Sequence, residues 1–185
     1  MTCKPDRTKR RVSQLKILCV RPAPGNRSQA ILQAGPLRLR AALGRSGTTT
    51  TKREGDGATP IANMALLYGY RRDRRISGVG TRLPMVPTRA DMLWCDAAAH
   101  ASYNRPVRAP FAASHETLQR KDELYDIAIV MDWNIRMRKR GCGSAIFFHI
   151  ARPGYTPTEG CVAIHPRDMR RLLPHLGPQT RLQVR

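Results

Sequence analysis

Residues 144–164 read Ser-Ala-Ile-Phe-Phe-His-Ile-Ala-Arg-Pro-Gly-Tyr-Thr-Pro-Thr-Glu-Gly-Cys-Val-Ala-Ile, and the pattern of this stretch sets the reading of the rest. In an extended chain Ala145, Phe147 and His149 share one side while Ile146, Phe148 and Ile150 share the other. Both faces are largely apolar, which predicts a central strand with His149 delivered at the end of a rigid element. A loop rich in proline and glycine follows. Gly160 lets the backbone bend tightly and approach a ligand directly before Cys161, and the residues after the cysteine return to an apolar run suited to a core. A cysteine on a tight loop facing a strand-end histidine is the pattern of a nucleophile and its base. The imidazole takes the thiol proton into a close ion pair, and the thiolate is the species that attacks a carbonyl. Backbone N–H groups around Gly160 and Cys161 are the natural donors to the resulting oxyanion.

Outward from this stretch, the strand-borne His149, the loop, and Thr158, Glu159, Gly160, Cys161 and Val162 leading into an apolar run resemble the YkuD-type L,D-transpeptidase catalytic domain. Gly44, Arg45, Ser46 and Gly47, followed by Lys52 to Pro60 (Lys-Arg-Glu-Gly-Asp-Gly-Ala-Thr-Pro), are similar to that family's Asp-x-x-Thr-Pro segment. Tyr103, Asn104, Arg105 and Pro106 lie between the two, so the likeness runs roughly from residue 15 to residue 185. The resemblance implies a mainly β fold, a β-sandwich-like mixed sheet with one or two short helices. It also implies a two-step acyl transfer on peptidoglycan stem peptides. Cys161 forms a thioester with release of a terminal D-amino acid, His149 shuttles protons, and an amine from a neighbouring stem completes the cross-link. An L,D-carboxypeptidase or a cross-link hydrolase would use the same Cys-His site. The family commonly orients its histidine by a backbone carbonyl and needs no metal or organic cofactor.

Many relatives carry Ser-His-Gly-Cys with an Arg or Asn two places after the cysteine, whereas this chain has Thr158 and Glu159 before Gly160 and Cys161, then Ala163. The substrate-binding group is therefore placed on Thr158, Arg152, Asn104 and Arg105, with the tying of a long loop to the body as an equal reading of Asn104 and Arg105. A guanidinium fork matches a peptide carboxylate bidentately, so Arg152 or Arg105 takes the place of the family's cation.

The chain has 185 residues, enough for one domain with a proper core: residues 1–13 read as a basic N-terminal tail and residues 14–185 as the catalytic domain. Thirty-three Lys and Arg against thirteen Asp and Glu leave a net charge of +20, which attracts polyanions non-specifically over a Debye length. A non-enzymatic polyanion-binding protein is the competing class. Only 5% of residues are aromatic and no DNA-reading helix pattern is present, which counts against nucleic-acid recognition. Cys3, Cys19, Cys95, Cys142 and Cys161 are odd in number and unpaired in spacing, so neither a disulfide framework nor a common zinc site is expected. No stretch approaches the length of a membrane span, and no export signal is visible near the first residue. The family's substrate nevertheless implies the cell envelope or periplasm.

Strands are predicted at residues 15–20, 29–33, 37–43, 64–70 and 125–131, with a closing edge strand at 180–184. The first three read as a β-meander. Thr88 and Asp91 are read as capping a helical turn before Trp94, and residues 71–75 as a solvated basic turn. His165 and Pro166 open a helix whose apolar stripe is Met169, Leu172 and Leu173.

Overall fold

Alternation of apolar and polar residues builds β1 (Ile17–Ala23), β2 (Asn26–Ala34) and β3 (Leu37–Ala42) as consecutive antiparallel neighbours, with Val20 opposite Leu32 and Leu32 opposite Leu39. Gly25 and Gly35, at φ +73° and +57°, supply the turns. The predicted meander is therefore present. The computed structural model describes residues 13–72 and 80–185; most of the expected basic tail and residues 73–75 of the expected basic turn lie outside the described residues.

The glycine- and threonine-rich loop after β3 carries a two-residue parallel ladder of β4 (Thr48–Thr49) and β5 (Thr59–Pro60). Then come β6 (Asn63–Arg71), β7 (Met85–Pro87), β8 (Met92–Cys95), β9 (Arg105–Arg108), β10 (His115–Thr117), β11 (Ile127–Met131) and β12 (Phe147–Ile150). The chain closes with β13 (Val162–Ile164), helix α1 (Pro166–Leu172) and β14 (Arg181–Val184).

In the main sheet β11, β12, β13, β3, β2, β1, β14 and β6 are successive neighbours, and β6 pairs again with β11, so these eight strands close on themselves. β7 adds to β6 in parallel. The β1–β14 and β12–β13 pairs are also parallel and the remaining pairs of this ring antiparallel, which makes the sheet mixed. The mainly β expectation holds, and the two layers of a sandwich are here opposite sides of one rolled sheet. Its interior is filled by side chains such as Leu18, Leu32, Leu66, Ile129, Phe148 and Val162, with Met169 and Leu172 of α1 and Leu173 just after it joining the same cluster.

Three expectations are corrected. The segment around Trp94 is a strand: Thr88 and Asp91 lead through a turn into β8, which pairs with β9 and β10 on either side. The predicted edge strand near the C-terminus is interior, since β14 lies between β1 and β6. β12 starts at Phe147, because Ala145 has φ +51° and breaks the extended run.

The small sheet of β8, β9 and β10 covers the outside of the barrel. Trp94 and Leu118 pack there with Tyr70, Tyr125, Ala128, Val130 and Phe147 in a second buried cluster. Trp94 and Tyr125 both meet Phe147 edge-on, with ring centroids 5.2 and 5.7 Å away. This explains why β12 is apolar on both faces: one meets the barrel core and the other lies under a roof.

The interior position of β14 has a measurable consequence. Gln183 is in register with Cys19 on one side and Asn63 on the other. Gln183→Pro should cost about 3 kcal/mol or more in chemical denaturation, whereas an edge strand would accept the change at a much smaller cost.

Candidate active site

The β12–β13 register places Phe148 opposite Val162 and His149 opposite Ala163. Side chains alternate, so Phe147 and His149 on β12 share the outer face with Cys161 and Ala163 on the neighbouring chain. Cys161 belongs to the roofed cluster, and His149 and Cys161 together line a cavity of about 400 Å³. Both are nearly buried, at 4% and 7% exposure.

The His149 Nδ1 lies 2.8 Å from the Ile150 carbonyl. A carbonyl only accepts, so in the neutral ring Nδ1 carries the proton and Nε2 keeps its lone pair. Tyr125 holds the ring from the side, edge-on at 5.2 Å. Burial, aided by the Arg120 and Arg152 charges, pulls the histidine pKa down to about 4. The Cys161 thiol donates to the Ala145 carbonyl at 3.2 Å, and its sulfur accepts the Phe147 N–H at 3.3 Å. Burial pushes this thiol up to about 12; Glu116 acts in the same direction, and the Phe147 N–H and Lys52 oppose it. Burial thus favours a neutral thiol and a neutral imidazole at rest, so the transfer of the thiol proton to the imidazole that the sequence suggests has to be driven within the site.

The cysteine turn is held from three directions. Thr158 Oγ1 donates to the Cys161 carbonyl at 2.7 Å and accepts the Gly160 N–H at 3.2 Å, while Thr59 Oγ1 contacts the same carbonyl at 3.4 Å. The Thr158 N–H donates to the Leu43 carbonyl and the Arg45 N–H to the Thr158 carbonyl, so the Gly44 and Thr-Pro segments are physically tied to the cysteine turn. Gly160 has φ +131°, and a Cβ there would lie 2.8 Å from the Ala58 carbonyl, so the turn requires glycine. From behind, Asn104 accepts the Trp94 Nε1–H and the Ala145 N–H and donates to the Trp133 carbonyl. It fixes the bend that aims the Ala145 carbonyl at the sulfur.

The YkuD family, described as the L,D-transpeptidase catalytic domain, matches residues 24–184. The chain belongs to this family. A crystal structure of Mycobacterium tuberculosis L,D-transpeptidase 1 is similar at 12% identity with a TM-score of 0.38, covering 91% of this chain and 61% of that one. The chain thus spans about three fifths of that structure's length. No curated protein matches the chain.

In this L,D-transpeptidase domain the structure gathers Cys161, His149, Thr158 and Arg152 around one cavity, with Gly160 in the turn beneath. Asn104 and Arg105 are not among the lining residues: Asn104 is buried in the hydrogen bonds just described, and Arg105 is exposed on β9. His165 caps α1 by accepting the Arg167 N–H at 3.2 Å, as its place before Pro166 predicts. Sequence reasoning missed Lys52, Glu116, Arg120 and Tyr125 as site residues. Lys52 and Tyr125 stood inside stretches read for other reasons, a motif segment and a core strand. Glu116 and Arg120 carried no signal, because their nearness to the cysteine depends on where the covering sheet docks.

Acid sensitivity tests the buried imidazole. Above pH 6.5 His149 is neutral both in an unfolded chain, with the ordinary value 6.5, and in the folded one, at about 4. As pH falls from 6.5 toward 4 only the unfolded chain takes up the proton, so stability is lost across that window. Between pH 7 and 4.5 the wild type should lose about 2–3 kcal/mol more than His149→Gln in urea denaturation.

Proposed function

We propose that this domain transfers acyl groups on peptidoglycan stem peptides, with Cys161 as nucleophile and His149 as general base and acid. The observation that carries this reading is the imidazole itself: the Ile150 carbonyl commits Nδ1 as donor and leaves Nε2 as acceptor in the cavity that Cys161 shares. The thiol proton passes to Nε2 as the sulfur attacks the substrate carbonyl, and the Phe147 N–H stays on the sulfur as charge develops there. When the tetrahedral intermediate collapses, the C–N bond to the terminal D-amino acid breaks and His149 returns the proton to the leaving amine. A stem-peptide amine then attacks the thioester, gives its proton to His149, and releases the thiol. The Gly160 N–H is held by Thr158 at rest, so the Cys161 backbone N–H is assigned as the first oxyanion donor.

The charge of the cavity supports a peptide substrate with a free amine. In a chain of net charge +20, the lining includes Glu54, Asp96, Glu116 and Glu159 against Arg120 and Arg152. Asp96 Oδ1 is buried with no hydrogen-bond partner among the described residues. Such a lining suits an ammonium group and disfavours the cavity as a polyanion site, which weighs against the non-enzymatic reading. Hydrolysis of the same thioester by water would give the carboxypeptidase or cross-link hydrolase outcome at this site. The cell envelope is the compartment that this substrate requires. Among the described residues no helix is long and apolar enough to cross a membrane.

Intact-protein mass after exposure to a carbapenem, whose strained amide acylates such thiols, is the direct test. The wild type should gain one adduct and Cys161→Ala none; an adduct that persists in the variant would remove Cys161 as the acyl acceptor. On a stem-peptide donor, Arg152→Ala should lower kcat/KM by about tenfold or more through loss of a charge-assisted contact, while Arg105→Ala should leave it nearly unchanged. The reverse order would place the substrate carboxylate outside the cavity.

A further inference from the structure

Lys52 is the buried charge that this mechanism does not use. Its side chain is 2% exposed. It lies in the loop between β4 and β5, where Nζ donates to the Arg53 carbonyl at 2.9 Å and pairs with the Asp56 carboxylate. Asp56 in turn accepts the Arg53 N–H at 2.8 Å and the Ala58 N–H at 2.9 Å, so the ammonium sits in a cage built by its own loop. Hydrogen bonds to the protein and the nearby lysine hold the Asp56 carboxyl below its ordinary range despite its partial burial.

The cage abuts the cysteine turn. A Cβ built on Gly160 would lie 3.5 Å from Lys52 Nζ, and one built on Gly143 would lie 2.9 Å from Lys52 Cγ. Lys52 is therefore wedged between the turn that carries Cys161 and the glycine turn that leads into Ala145, whose carbonyl receives the thiol. Apart from the Phe147 N–H, the side chains that such a cation meets around the thiol do little to favour its ionised form. His149 and Tyr125 face it as neutral groups, and Glu116 carries a carboxylate toward it. Glu54, Asp96 and Glu159 line the same cavity as further acids, with Arg120 and Arg152 as its guanidinium groups. Lys52 is the ammonium packed directly beneath the turn.

We propose that Lys52 is a positioning residue of the cysteine site: its caged ammonium, seated under Gly160, stabilises the Cys161 sulfur as it becomes anionic, and Asp56 holds it there. The assignment rests on the reading of Cys161 as the nucleophile. It explains why a site whose rim and walls are acidic keeps one cation out of reach of solvent, where screening by salt is weak. It also explains the close glycine packing on both sides of a side chain that the other features of the loop do not require.

The test is the rate at which iodoacetamide alkylates Cys161, followed by mass spectrometry of the peptide that contains it, from pH 7 to pH 9. Below the thiol pKa this rate is proportional to the thiolate fraction, so a fold-change at fixed pH reads the electrostatic effect. Lys52→Met and Lys52→Gln, which remove the charge, should slow alkylation by about three- to tenfold at every pH in the range. Lys52→Arg, which keeps the charge, should stay within about twofold of the wild type. A folded neutral variant reacting at the wild-type rate overturns the proposal, as does an Arg variant slowed as much as the neutral ones. Failure of both neutral variants to fold would assign Lys52 to the fold and would equally overturn it. An error in the reading of Cys161 shows separately, as a carbapenem adduct that does not depend on that residue.

Discussion

The parallel pairing of β12 with β13 is the constraint on which the rest depends. Parallel neighbours cannot be joined by a tight hairpin, so the chain must leave the sheet and return, and residues 151–161 form that excursion. The register then brings the residue at the end of one strand and the residue before the start of the next to the same outer face. That face carries Phe147 as well as His149 and Cys161, and a large aromatic ring on it must be covered. The sheet of β8, β9 and β10 does so, and the roof that buries Phe147 also removes water from the thiol and the imidazole. The geometry of the cavity and local stability thus share one set of contacts, and weakening the roof alters both.

Burial has an electrostatic consequence that organises the chemistry. A thiolate and an imidazolium each lose solvation under the roof, so each group rests in its neutral form, with the thiol hydrogen on the Ala145 carbonyl. In the proposed mechanism charge develops on the sulfur only as a substrate carbonyl arrives. The Phe147 N–H already donates to the sulfur, and the proposed role of Lys52 adds a cation fixed in place by Arg53 and Asp56, so neither needs reorganisation at that moment. This arrangement disfavours the thiolate at Cys161. It also makes the flanking elements exacting: the left-handed Ala145, the glycine at 160 and the two threonine hydroxyls each set a position that a mobile loop would not hold.

Much of the fold, and the pairing of His149 with Cys161 at one cavity, were legible in the sequence, because both depend on local patterns. Alternation marked β1, apolar and β-branched runs marked β6 and β11, a Gly-Pro turn signal marked the β2–β3 hairpin, and the pattern around His149 and Cys161 marked the two groups that the cavity brings together. Alternation identifies faces but not neighbours, so the interior position of β14 was hidden; it follows from pairing with β1 and β6, which are remote in sequence. Ala145 was assigned to the strand because nothing in an alanine announces a positive φ, which here is imposed by the Asn104 side chain holding its N–H. Asn104 itself was read for substrate contact; its chemistry as an amide was apparent, but not that Trp94 and Ala145 already occupy it. Trp94 stood near residues that suit a cap, and the pull of two flanking strands decided otherwise. Lys52 shows the limit most clearly, since a lysine in a polar loop reads as solvated until the loop is found folded beneath a buried turn.

The surface and the cavity carry opposite electrostatic characters, and the distances over which they act keep them separate. Arginines spread along the chain give a field felt by a polyanion at about a Debye length, roughly 8 Å at physiological salt, and this field is erased by added salt. The carboxylates around Cys161 act within a partly enclosed cavity on groups they can touch, where screening is weaker. Any attraction to an anionic polymer and the proposed selection of a substrate amine are thus physically independent and would respond differently to ionic strength. Salt alone would diminish the first and leave the second nearly unchanged. The same reasoning separates Lys52 from the chain's many other cations: most add to a field that salt removes, while the effect proposed for Lys52, with its ammonium enclosed by Arg53, Asp56 and the Gly160 turn, would be screened only weakly by salt.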